Sequence, residues 1–86
     1  MKLTMYSLLD GKSKVYSKPF YANNDGEALR SFADAVNNKD LLCGKYPEDF
    51  SLFRVGVWDD VDGFVTSSDA VPFYIAKGID FVKVNN

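Results

Sequence analysis

Residues Phe50–Trp58 read FSLFRVGVW. Aromatic and β-branched side chains suit a pleated surface, and alternate residues of a strand share a face. On strict alternation, Phe53, Val55 and Val57 share one face, while Leu52, Arg54, Gly56 and Trp58 share the other. A strand that is apolar on most of both faces belongs in the middle of a sheet or under a cover. The acidic run DDVDG (Asp59–Gly63) turns the chain, and FVTSS (Phe64–Ser68) is the expected hairpin partner.

A second hairpin is expected upstream. KLTMYSLL (Lys2–Leu9) reads as its first strand and Asp10-Gly11 as a turn, with Lys14–Tyr21 returning. Pro19 has no amide hydrogen to give a ladder, so the return strand lies at a sheet edge or is bulged there. If it is extended throughout, Lys12, Lys14, Tyr16, Lys18 and Phe20 fall on one face, three cations with two rings among them. Binders of single strands combine such a cationic track with rings on which bases stack, each stack contributing about 1–3 kcal/mol. Lysines also protect exposed sheet edges from aggregation, so both readings of this row stand. Arg54 has two readings as well: contact with a phosphate, or stacking on Trp58 with its charged head in solvent.

Between the hairpins lies the clearest helix. Asn24 can cap it, with Glu27 three residues on in the capping-box relation. Leu29, Phe32 and Val36 recur at helical spacing, supported by Ala28, Ala33 and Ala35. Arg30 and Asp34 are four apart and expected to pair, with Arg30 a lesser candidate for DNA contact. Asn37-Asn38 is the exit, and a loop runs from Lys39 to about Asp49, broken by Gly44 and Pro47. The segment VPFYIAKGIDFVKVNN (Val71–Asn86) fits either strands or a helix starting near Pro72, and a short helix is favoured. The fold class is therefore α+β: one small domain over residues 1–86, two antiparallel hairpins around one main helix, with a short C-terminal helix.

Eighty-six residues suffice for one domain with a thin core. The net charge of −2 argues against wholesale polyanion binding, but its distribution is uneven. Residues 1–21 hold four lysines against one acid, +3; residues 22–69 hold four cations against ten acids, −6; the remainder is +1. The local potential, not the total, is what a phosphate strand feels within a Debye length of about 8–10 Å.

The chain has no histidine, which removes the commonest general base and metal ligand. Its single cysteine, Cys43, sits among apolar neighbours and reads as a small buried side chain. One thiol without imidazole does not make a zinc site, and Asp59, Asp60 and Asp62 do not fit the spacing of a calcium loop. No catalytic set, metal or cofactor is expected. Apolar runs are too short to span a bilayer, the amino end lacks a signal-peptide pattern, and a lone cysteine suits a reducing cytoplasm.

RSFADAVNN (Arg30–Asn38) followed by YPEDFSLFRVGVWDD (Tyr46–Asp60) resembles the small nonstructural protein of gokushovirus-type phages, single-stranded DNA phages of the family Microviridae. The resemblance rests on R-S-F-x-D-x-V-N in the helix, P-x-D-F/Y-x-L-F entering the strand, and G-x-aromatic-D-D leaving it. It covers Leu29 to Gly63, and MKLTMYSLLD with the Lys-Pro-Phe segment also looks like the family's amino end. The resemblance implies a protein of the infected host's cytoplasm, absent from the virion, that binds single-stranded DNA in viral replication or in the switch to single-strand synthesis and packaging. Lys12, Lys14, Lys18, Tyr16 and Phe20 are the expected contacts, with Arg30 and Arg54 behind them. A homodimer or higher oligomer is expected. The alternative is a protein-interaction module that recruits a host or viral replication or packaging protein through the acidic middle.

Overall fold

In the computed structural model, which describes residues 1–67 and 71–83, six strands form one antiparallel sheet. They are β1 (Lys2–Asp10), β2 (Val15–Tyr16), β3 (Phe20–Ala22), β4 (Phe50–Asp59), β5 (Val65–Thr66) and β6 (Phe73–Lys77). Two helices, α1 (Asp25–Val36) and α2 (Leu42–Lys45), complete the α+β fold. The centre is β1 against β4, paired from Lys2 opposite Asp59 to Asp10 opposite Phe50. β2 and β3 follow one another along the outer side of β1, and β5 and β6 along the outer side of β4. The longest pairing thus joins the two halves of the chain into one sheet, within which β1 pairs with β2 and β3, and β4 pairs with β5.

Strict alternation fails in β4. Met5 faces Gly56 and Tyr6 faces Arg54, so Val55 is an extra residue with no partner on β1. Such a bulge resets the pleat. Phe50, Leu52, Arg54 and Val57 therefore share one face, and Ser51, Phe53, Gly56 and Trp58 the other. Trp58 lies on the side of Phe53, not that of Arg54.

Helix α1 forms where its cap and periodicity place it. The Asn24 side chain accepts from the Glu27 amide at 2.9 Å, while the Glu27 carboxylate accepts from the Asn23 side-chain amide at 2.9 Å instead of closing a capping box. Ala28, Phe32 and Val36 turn inward and join Tyr6, Cys43, Phe50 and Leu52 in the core. Burying a side chain such as Phe32 or Leu52 contributes about 1.5–3 kcal/mol. Arg30 and Asp34 are both exposed, and no ion pair joins them.

Two segments differ from expectation. The loop after α1 contains α2 and a 3-10 turn over Pro47–Asp49, because Gly44 permits a contact that no other residue could make. A Cβ there would lie 1.9 Å from the Asn38 carbonyl oxygen. Burial of Cys43 on the same turn pushes its thiol pKa up, which keeps it protonated and inert. The C-terminal segment is a strand, β6, followed by a 3-10 turn over Gly78–Phe81, and not the favoured helix. The outer edge of β4 supplies the hydrogen bonds, and Ile75 is a bulge between Ala76 and Tyr74. The helical spacing of Ile75, Ile79 and Val82 marks no buried face: Ile75 and Phe81 pack against the core, Phe81 edge-on to Phe32, while Ile79 and Val82 are exposed. Ser68 of the expected hairpin partner and residues 84–86 of the expected C-terminal helix lie outside the described residues.

One polar cluster fastens helix to sheet. The fully buried Tyr6 donates its hydroxyl to Asp25 Oδ1 at 2.6 Å, and Arg54 Nη1 donates to Asp25 Oδ2 at 2.8 Å. Asp25 opens α1, where the helix dipole also favours its charge. Arg54 further stacks over Phe73, 4.4 Å from the ring centre.

Burial first, then the hydrogen bond to Asp25, hold the Tyr6 hydroxyl well above the usual phenol pKa. The folded state therefore favours the protonated phenol, and that stabilisation is complete below the ordinary tyrosine pKa of about 10 and lost as pH rises beyond it. Tyr6→Phe is expected to lower stability by about 1.5–3 kcal/mol near neutral pH. The gap between variant and parent should close above about pH 10, as read by urea denaturation across the pH series. Gly44→Ala is expected to cost about 1–3 kcal/mol by the same measurement, because backbone must move to admit the methyl.

Candidate functional site

The helices cover only the face of the sheet that carries Tyr6, Phe50 and Leu52. The molecule measures 48 × 24 × 19 Å, and its least dimension holds one sheet and one helical layer. The opposite face is open. Register fixes what stands on it. Tyr16, Leu9, Ser51 and Lys77 form one row from edge to edge. Ser7, Phe53 and Tyr74 form the next. Tyr21 stands beside Met5, and Trp58 between Leu3 and Val65.

Five rings share this face. Phe53 lies at the centre, edge-on to Tyr16 at 5.6 Å and to Tyr74 at 5.7 Å between ring centres. Tyr21 and Trp58 make a second group, 5.8 Å apart. Tyr16, Tyr21 and Tyr74 remain 42%, 49% and 48% exposed, far more than core rings such as Tyr6 or Phe32. Edge-to-face contacts hold the rings upright and leave surface for other flat groups.

Charge is sorted between the faces. Asp10 and Asp59 stand with the helix-side residues, as do the acids of α1, Asp25, Glu27 and Asp34. No strand residue on the open face is a carboxylate, and Lys77 stands at its border. Lys12 and Lys14 occupy the turn that leads into Tyr16, and Lys18 follows it; all three are exposed. Lys14 holds φ of +61°, a left-handed conformation that costs a non-glycine residue about 1–2 kcal/mol.

The expected row of Lys12, Lys14, Tyr16, Lys18 and Phe20 does not share a face. Tyr16 pairs with Leu9 and Phe20 with Tyr6. Four residues on the outer strands thus match three on β1, and the extra residue reverses the alternation. Ser17 secures the step: its amide donates to Leu8 O at 2.8 Å, and its carbonyl accepts from Ser7 Oγ at 2.7 Å. Tyr16 therefore reaches the open face, whereas Phe20 packs against the core 5.8 Å from the Tyr6 ring. Arg54 is on the helix side, paired with Asp25 and stacked on Phe73 rather than Trp58. Arg30 sits on the solvent side of α1, away from the rings, since Ala28, Phe32 and Val36 face the sheet.

Sequence reasoning missed Tyr21, Phe53, Trp58 and Tyr74 as companions of Tyr16. Their period-2 signal is interrupted by the bulges at Val55 and Ile75 and by the step at Ser17–Pro19. The acidic turn is internally occupied: Asp59 Oδ1 accepts from the Val61 amide and Asp62 Oδ1 from the Phe64 amide, both at 2.9 Å. Asp60 takes the Met1 amino group at 2.6 Å. Among the described residues, no three His, Cys, Asp or Glu side chains converge to hold a metal ion.

The reversed alternation has a direct check. Phe20→Ala is expected to cost about 2–3 kcal/mol in urea denaturation and Tyr16→Ala less than about 1 kcal/mol. Equal costs would contradict the opposite placement of the two rings.

The chain matches the family described as Phage ORF5 protein over residues 3–81. No curated protein and no solved structure matches it. That match takes in every strand but the first residue of β1, both helices and all five rings of the open face, and the chain accordingly belongs to the Phage ORF5 protein family.

Proposed function

We propose that this phage protein is a non-enzymatic binder of single-stranded DNA, and that the open face of its sheet is the binding surface. The observation that carries this reading is the aromatic group Tyr16–Phe53–Tyr74, with Tyr21 and Trp58 beside it, on a face without strand carboxylates. Unpaired bases present flat apolar surfaces that stack on such rings whatever their sequence. Lys12, Lys14 and Lys18 at one edge and Lys77 at the other would neutralise phosphates as the strand crosses the sheet. Duplex DNA keeps its bases stacked inside and offers the rings nothing. The resemblance to the gokushovirus nonstructural protein supports a role in the infected host's cytoplasm, during replication or the switch to single-strand synthesis and packaging. Weak contacts on one small face gain from repetition, which favours a homodimer or higher oligomer on one strand.

Fluorescence anisotropy with labelled oligo-dT tests this. Tyr16→Ala and Tyr74→Ala are each expected to weaken binding about tenfold, the loss of one stacked base. With about four phosphates engaged, affinity should fall about fifty-fold between 50 and 200 mM salt. Lys12→Ala/Lys14→Ala/Lys18→Ala should flatten that slope. Ring variants that bind like the parent would overturn the reading and assign the face to a protein partner.

A further inference from the structure

A second cationic feature lies on the helix side, away from the rings. Lys39, Lys45 and Lys83 line one cleft of about 410 Å³ together with Asn37 and Gly44. The three lysines come from three segments: the exit of α1, the end of α2 and the chain after the Gly78–Phe81 turn. No carboxylate lines the cleft, and among the described residues none of the three makes an ion pair. Lys39 and Lys45 are the only lysines in residues 22–69, the stretch that otherwise carries the acids.

The cleft is held open by fixed backbone. Asn37 donates through Nδ2 to the carbonyls of Ala33 at 2.7 Å and Phe81 at 2.9 Å, and its Oδ1 accepts from the Lys83 amide at 2.8 Å. One side chain thus clamps the C-terminal segment to the end of α1 and sets Lys83 beside the other two lysines. The negative end of α1 attracts positive charge, but that needs no concave wall and no third ammonium from a distant segment. Three lysines lining one cleft that has no carboxylate in its wall bring like charges to one place, and each ammonium brings three donors. A multivalent oxyanion relieves the repulsion and uses the donors.

We propose that this cleft binds a phosphate group, as a site separate from the sheet face. The phosphate would belong either to a small phosphorylated molecule or to the 5′ end of a DNA strand. The test is amide NMR on the full chain at constant ionic strength, with pyrophosphate, a 5′-phosphorylated thymidine tetranucleotide and the same tetranucleotide without the phosphate. Pyrophosphate is expected to shift the amides of Gly44, Lys45 and Lys83 saturably, with affinity at least about tenfold weaker in Lys39→Gln/Lys45→Gln/Lys83→Gln. The substituted side chains are exposed, and dispersion in the same spectra verifies folding; Lys45→Gln alone serves if the triple variant is impaired. Saturation by the phosphorylated tetranucleotide, but not by its unphosphorylated form, assigns the site to strand ends. Saturation by pyrophosphate alone assigns it to small phosphorylated molecules. Linear shifts with every probe, or equal affinity in the variant, would overturn the proposal. Neither result depends on the rings of the sheet face, so the two sites stand or fall separately.

Discussion

Everything in this molecule is built on the pairing of β1 with β4. Its nine- and ten-residue strands run antiparallel through the centre, and every other strand attaches to one of them. Because the pairing runs from Lys2 to Asp10 with one bulge, at Val55, α1 with the short α2 beside it suffices to close one face. Tyr6, Leu52 and Phe50 meet Ala28, Phe32 and Val36 there, and the Tyr6–Asp25–Arg54 cluster fixes the start of the helix over the sheet. A chain of this size has apolar residues enough for one such layer and not for two. The second face consequently remains open, and the aromatic residues on it are available to a partner.

Three single-residue irregularities set what that face presents. The bulge at Val55 brings Gly56 and Trp58 to the side of Phe53, the bulge at Ile75 does the same for Tyr74, and the step at Ser17–Pro19 separates Tyr16 from Phe20. A shift of one residue turns every later side chain over. The same irregularities divide both sheet edges into short pieces, with Pro19 and Pro72 at the breaks, which suppresses indefinite edge-to-edge growth. An exposed aromatic face and a protected edge are compatible in this design.

Electrostatics follow the same division. Among the described residues, the acids lie on α1, on helix-side strand positions, at Asp40, in the Pro47–Asp49 and Gly78–Phe81 turns, or within the turn after β4. The open face carries none in its strands, and lysines stand at both of its borders. Low net charge is therefore a poor guide to what either surface can attract. On the helix side, the Asn37 clamp gathers lysines from three segments into a cleft of their own.

The residues alone determined the class of the fold, the extent and cap of α1, the central place of β4 and the burial of Cys43. Each depends on local signals: a side chain that satisfies a nearby amide, a 3.6-residue apolar period, or a run apolar on both faces. Tyr16 was legible as an exposed ring for the same reason, beside lysines at an edge. Which rings it joins was not. Phe20, Phe53 and Trp58 were placed by counting in twos, and each count crosses a bulge or step that only partner strands reveal; Tyr74 fell in a segment read as a helix. Arg54 was likewise undecided until Asp25, twenty-nine residues away, lay 2.8 Å from it. Local chemistry is written in neighbouring residues, but the face on which a strand residue emerges is set by the register of another strand, and only the folded chain brings that strand alongside.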